Sequence, residues 1–261
     1  MAAVLLPIAL LSYLAGITAA AVAVLGPVPR ARFWAPALIG AGTCAHWIEV
    51  IRRAVDVGGL PIADVSGYLL VLGGAVSVLY LTVWLRWKVD ALALVLTPLA
   101  VVTAAIVWRL ARSGSTGEAP PEGWLALHVS LATAGMAILG LAFAMALFYI
   151  LQDFALKARR NLVVLEMLPS LNRCDRLGFQ ALIVGFLVFS LGIFGGIVLQ
   201  ADLHAAWVPV DSKQALSLVA WTIFAVVVLL RVTAGFRGRR SATLVIVGFI
   251  AGLFAVFGMA V

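Results

Sequence analysis

Long, uninterrupted apolar runs constrain this chain more than any other feature. A helix needs about 20 mostly apolar residues to cross a bilayer. Eight segments meet that requirement, at about 3–26, 33–51, 66–85, 90–109, 124–150, 177–199, 214–234 and 242–260. The runs are continuous and not alternating, which excludes a β-barrel and predicts helices. The expected fold is therefore an all-α polytopic membrane protein of eight transmembrane helices. The connections are short, so 1–261 reads as a single transmembrane domain. The first run has no basic leader and is longer than a signal-peptide core, so it reads as a span. Composition closes the alternatives. Of the 261 residues, 64% are hydrophobic and 11% charged. Soluble domains carry about 25% charged residues, so a soluble enzyme, a disordered chain and a disulfide scaffold are all excluded.

The charges set an orientation. There are 18 Lys and Arg against 11 Asp and Glu, a net charge of +7. Counting alternate connections, 13 basic residues fall on one side, among them Arg30, Arg32, Arg86, Lys88, Lys157, Arg159, Arg160, Arg173, Arg176, Arg231, Arg237, Arg239 and Arg240. Only 5 fall on the other: Arg52, Arg53, Arg109, Arg112 and Lys213. The positive-inside rule places the first set in the cytoplasm and both termini outside. The location is then a bacterial-type cytoplasmic membrane, with the lipid bilayer as the first partner. The basic excess needs no nucleic acid to explain it.

The three histidines all fall toward the outer side. His46 is about 13 residues into the second, outward-running span, roughly 20 Å from the inner face. His128 opens the fifth span, and His204 follows the sixth. Imidazole ligates heme iron and other metals and also carries protons. A histidine at an interface is more often simply solvated, and one inside a span faces a partner or cavity. Glu49 is one turn from His46, where it either orients the imidazole or pairs with Arg52 or Arg53. Trp124 and His128 share a helix face, an arrangement that suits a porphyrin or an interfacial aromatic belt. No HExxH, Walker loop, GxGxxG, GxSxG, CxxC or CxxCH occurs. Gly192 with Gly196, and Gly248 with Gly252, are GxxxG pairs that permit close helix packing. Cys44 and Cys174 lie at different expected depths, which disfavours a disulfide.

The stretch Trp124-Leu125-Ala126-Leu127-His128-Val129-Ser130, followed by a long span and the basic segment at Lys157–Arg160, resembles the cytochrome c assembly protein family of CcsA-, CcmC- and HemX-like proteins. Leu168-Pro169-Ser170-Leu171 with Asp175 and Arg176 resembles that family's entry into the next span. Trp207, Asp211 and Lys213 fall where the family carries its tryptophan-rich external loop. Trp221-Thr222-Ile223-Phe224-Ala225 and the turn Gly235-Phe236-Arg237-Gly238-Arg239-Arg240 resemble its next span and cytoplasmic exit. The resemblance covers about 40–260. Most loop tryptophans are missing, and Gly58-Gly59-Leu60-Pro61 and Leu229 stand where full heme synthetases carry histidines. His46 in the second span is closest to the HemX-like branch.

The resemblance implies a membrane protein that binds or presents heme at the outer face. His128 is the first expected axial ligand, with His46 or His204 as the second. Trp207 and Trp124 would pack on the macrocycle, near Asp211, and Lys213 would meet the propionates. An external apocytochrome or assembly partner would complete the chemistry. The alternative is an accessory or regulatory protein of tetrapyrrole metabolism that contacts a cytoplasmic enzyme through the 157–176 loop. A transporter is disfavoured because the spans read as lacking a chain of ionisable residues.

Overall fold

The structure is a computed structural model that describes residues 2–26, 28–112, 123–158, 168–204 and 212–257. Among these residues eight long helices form, joined in one place by a 3-10 turn. They are α1 Ala2–Leu25, α2 Pro29–Val57, α3 Val65–Trp87, α4 Ala93–Arg112, α5 Gly123–Lys157, α6 Leu171–His204, α7 Ser212–Thr233 and α8 Arg239–Phe257, with the turn at Asp90–Leu92 before α4. Seven of the eight are long and apolar enough to cross a membrane. The exception is α2, which carries His46, Glu49, Arg52, Arg53 and Asp56.

Local chemistry fixes the helix ends. Pro29 opens α2, where its missing N–H costs nothing. Gly58 closes α2 at φ 74°, with its N–H on the carbonyls of Ala54 and Val55. Asp64 caps α3 by accepting from the Gly67 N–H at 2.7 Å. Glycine is required at 67 because a Cβ there would collide with the Pro61 backbone. Lys88 ends α3 in the left-handed region, and its ammonium sits 3.8 Å from the Trp84 ring centroid.

The chain divides into two compact units, one holding α1–α4 and the other α5–α8. In unit 1, α1 packs closely on α2 because both present glycine at the crossing. Gly16 lies against Ile39, and Gly42 lies beneath the Tyr13 ring. In unit 2 the dominant contact is the antiparallel pair α5 and α6. Its seam is lined by small residues on both sides. Gly178 faces Met145, Gly185 faces Leu139, Phe189 faces Gly135, and Gly192 faces Ala132. Glycines at 178, 185 and 192 recur every seven residues, which keeps one face of α6 on α5. The Gly192–Gly196 pair belongs to this seam, as its spacing predicts. Gly248 likewise packs on Phe224 and Ile223, and Gly252 on Met136.

Two boundaries correct the sequence reading. Helix α6 starts at Leu171, six residues before the expected 177. Arg173, Asp175 and Arg176 therefore stand on its first turns, so the end of the 157–176 segment is helix and not loop. Helix α5 runs 35 residues, about 52 Å, well past the roughly 30 Å apolar thickness of a bilayer.

Candidate functional site

His128 sits in the first turns of α5, half-buried at one end of the α5–α6 seam. Its Nδ1 lies 2.5 Å from the Gly192 carbonyl oxygen. A carbonyl only accepts, so Nδ1 carries the proton and donates it. Nε2 then keeps its lone pair, and among the described residues it has no hydrogen-bond partner. The ring needs the bare backbone of Gly196, where a Cβ would stand 2.8 Å from Nδ1. An imidazole whose far nitrogen is held by a backbone carbonyl has a fixed tautomer and orientation, the arrangement found behind metal-ligating histidines. The donor chemistry therefore fits an axial ligand of heme iron.

His46 is arranged in the opposite way. It is fully buried within unit 1. Its Nε2 lies 2.8 Å from the Leu70 carbonyl and donates to it. Its Nδ1 accepts from the Tyr13 hydroxyl at 3.3 Å. Both ring nitrogens are occupied by protein groups, which leaves no lone pair for a metal in this arrangement. Glu49 does not orient His46. It is fully buried and takes Arg52 through both guanidinium Nε and Nη2, at 2.9 and 2.7 Å, and Arg53 through Nε at 3.0 Å. Of the two expectations for Glu49, the arginine pairing is the one the geometry makes.

Trp124 is 74% exposed at the start of α5. His204 closes α6, but its side chain lies outside the described residues, as do Trp207 and Asp211 entirely. Lys213 is in the first turn of α7 with its side chain likewise outside them. Cys44 and Cys174 are both free.

Sequence reasoning missed two arrangements. Among the described residues, eight of the eleven buried polar ones are in unit 1, Thr43, His46, Glu49, Arg53, Ser66, Ser77, Thr97 and Thr103, against Thr133, Gln152 and Ser241 in unit 2. The expected lack of a chain of ionisable residues is untouched by this, since five of the eight are hydroxyls and the three ionisable ones stand together on α2; hydroxyls in apolar runs leave little hydropathy signal, so the group was not anticipated. Tyr13 stands at the centre of this group, and nothing in its local sequence marks it. The second is Trp221, whose Nε1 donates to Ser190 Oγ at 2.8 Å and whose ring meets Phe186 and Phe194. It ties α7 to α6 below the His128 end.

Comparison with known proteins adds a separate line. The profile of the family described as Cytochrome C assembly protein matches residues 62–261. That stretch takes in α3 to α8 and holds His128, Trp124, His204, Trp207 and Asp211. A cytochrome c biogenesis protein CcsA from Synechococcus sp. (strain RCC307) is 26% identical over 227 residues, covering 77% of this chain and 73% of that protein. A CcsA from Parasynechococcus marenigrum (strain WH8102) is 25% identical over 77% of this chain and 75% of its own length. One from Prochlorococcus marinus is 22% identical over 85% of this chain and 79% of its own length.

Proposed function

Because this chain belongs to the cytochrome c assembly protein family, we propose that it works in cytochrome c biogenesis by holding heme, as cargo, at the outer face of the membrane. One observation carries the reading. His128 has its Nδ1 proton committed to Gly192 and its Nε2 without a partner among the described residues. Heme brings an iron that accepts an axial imidazole. His128 supplies that nitrogen, Gly192 orients the ring, and Gly196 leaves room for it. His204, on the last turn of α6, is the second ligand in this proposal. His46 is left out, because both its nitrogens serve unit 1. Trp124 and Trp207 cover the macrocycle, with Asp211 nearby and Lys213 on a propionate. Such a protein presents heme; an external partner brings the apocytochrome.

The topology in this proposal has eight spans with both termini outside, in a bacterial-type cytoplasmic membrane. The count of 13 basic residues on one side against 5 on the other supports it. Helix α2 counts as a span although it fails on composition alone. Its His46, Glu49 and Arg53 are buried and paired, so they do not meet lipid.

The test is the visible absorption spectrum of the purified protein, oxidised and reduced. The wild type shows a heme Soret band, His128→Ala loses it, and His46→Phe keeps it. A wild type that stays colourless after hemin is added overturns the heme reading. Weight then passes to a HemX-like accessory role, in which the 157–176 segment contacts a cytoplasmic enzyme.

A further inference from the structure

At the other end of α5 from His128, unit 2 encloses a cavity of about 20 Å³ that opens to the surface. Tyr149, Cys174, Asp175, Arg231, Gly238 and Ser241 are among the residues that line it. Arg231 ends α7 with its side chain only 8% exposed. Its Nη2 donates to the Asp175 carboxylate at 2.6 Å and to the Asp175 carbonyl at 3.1 Å. Its guanidinium lies 4.2 Å from the Phe179 ring centroid. Its Nε is buried with no partner among the described residues. A buried guanidinium N–H without an acceptor carries a desolvation cost that a ligand oxygen would remove.

Two helices begin at this cavity, α6 at Leu171 and α8 at Arg239. Each brings the positive end of its dipole there. Ser241, in the first turn of α8, is 2% exposed and places a hydroxyl on the cavity wall. Arg176, Arg237, Arg239 and Arg240 are exposed and flank in sequence the lining residues Asp175, Gly238 and Ser241. Asp175 is the one carboxylate on the wall, and Arg231 Nη2 already neutralises it.

We propose that this cavity is an oxyanion site for a phosphate group. One phosphate oxygen enters and accepts from Arg231 Nε–H and Ser241 O–H. The rest of the group stays at the mouth among the arginines, since about 20 Å³ admits one oxygen-sized atom. The phosphate comes from an anionic phospholipid headgroup or from free inorganic phosphate. The site shares no residue with His128, so it stands or falls apart from the heme reading.

The experiment is binding to the full-length, detergent-solubilised protein, read by native mass spectrometry. Phosphatidylglycerol, inorganic phosphate and dioleoylglycerol, which lacks the phosphate, serve as probes. The expected result is one-to-one binding of phosphatidylglycerol or phosphate and none of dioleoylglycerol. Binding of phosphatidylglycerol alone identifies the lipid source, and binding of both probes identifies a general phosphate site. Arg231→Gln weakens binding about tenfold or more, as expected for a hydrogen bond to a charged group. Ser241→Ala, which leaves the Arg231–Asp175 pair in place, weakens it about threefold. Binding that is unchanged in both variants overturns the proposal, as does no binding by the wild type or equal binding of dioleoylglycerol.

Discussion

The two units answer the same problem in different ways. Helices in a bilayer gain little from burying apolar surface, because lipid is as apolar as leucine. Unit 1 adds to its glycine crossing of α1 and α2 a few buried polar groups that bond from one helix to the next. His46 on α2 bonds α1 through Tyr13 and α3 through Leu70, and Arg53 reaches Ser66 at 2.9 Å. Unit 2 holds α5 and α6 by removing side chains, so that backbone meets backbone along a glycine seam. The two histidines show the consequence. In the polar unit, His46 is saturated and becomes structural. In the glycine-lined seam, His128 is held through one nitrogen, and the other has no hydrogen-bond partner among the described residues. The imidazole that the proposed function uses comes from the unit with fewer buried polar neighbours among the described residues.

The largest test of this contrast is Glu49→Ala. It strands two arginines, one of them buried, and should cost about 3–5 kcal/mol, the usual penalty for breaking a buried ion pair. A thermal melt of the purified protein that does not move would break the view that the buried charges of α2 depend on one another for pairing. Next comes the seam. Gly135→Ala puts a Cβ about 2.5 Å from the Phe189 backbone, so α5 and α6 must separate. Overpacking of this kind costs about 1–3 kcal/mol, and the same melt reads it. His46→Phe should lower stability by about 1–3 kcal/mol, because the Leu70 carbonyl and Tyr13 hydroxyl lose their partner. If that variant also lost the heme band while remaining folded, the contrast between the two histidines would fail. The smallest effect belongs to Trp221→Phe, which gives up the bond to Ser190 and should cost about 0.6–1.7 kcal/mol.

The helical spans were legible because length and continuity of apolar sequence survive any packing arrangement. The expected run at 177–199 was too short because Arg173, Asp175 and Arg176 read as loop. On the helix they are accommodated, since Asp175 pairs with Arg231 fifty-six residues away, and no local pattern announces that partner. The expectation for His128 rested on its neighbours in sequence, from Trp124 to Ser130. His46 was expected as one of two candidates for the second ligand, because a histidine in a span suggests function. What separates them is the identity of groups far along the chain, the Leu70 carbonyl for one and the Gly192 carbonyl for the other.

The sequence by itself determined the solvent of this protein, its helical class, the positions of its long helices and the family it belongs to. Each of these depends on composition, on runs of neighbours or on ordered motifs, all of which are local. Tertiary structure alone decided which buried charges are paired, which histidine keeps a lone pair, and where Arg231 is left with an unused N–H. Those outcomes depend on hydrogen-bond partners brought together by helix crossings. A hydrogen bond acts only over about 3 Å, so spacing along the chain does not encode it.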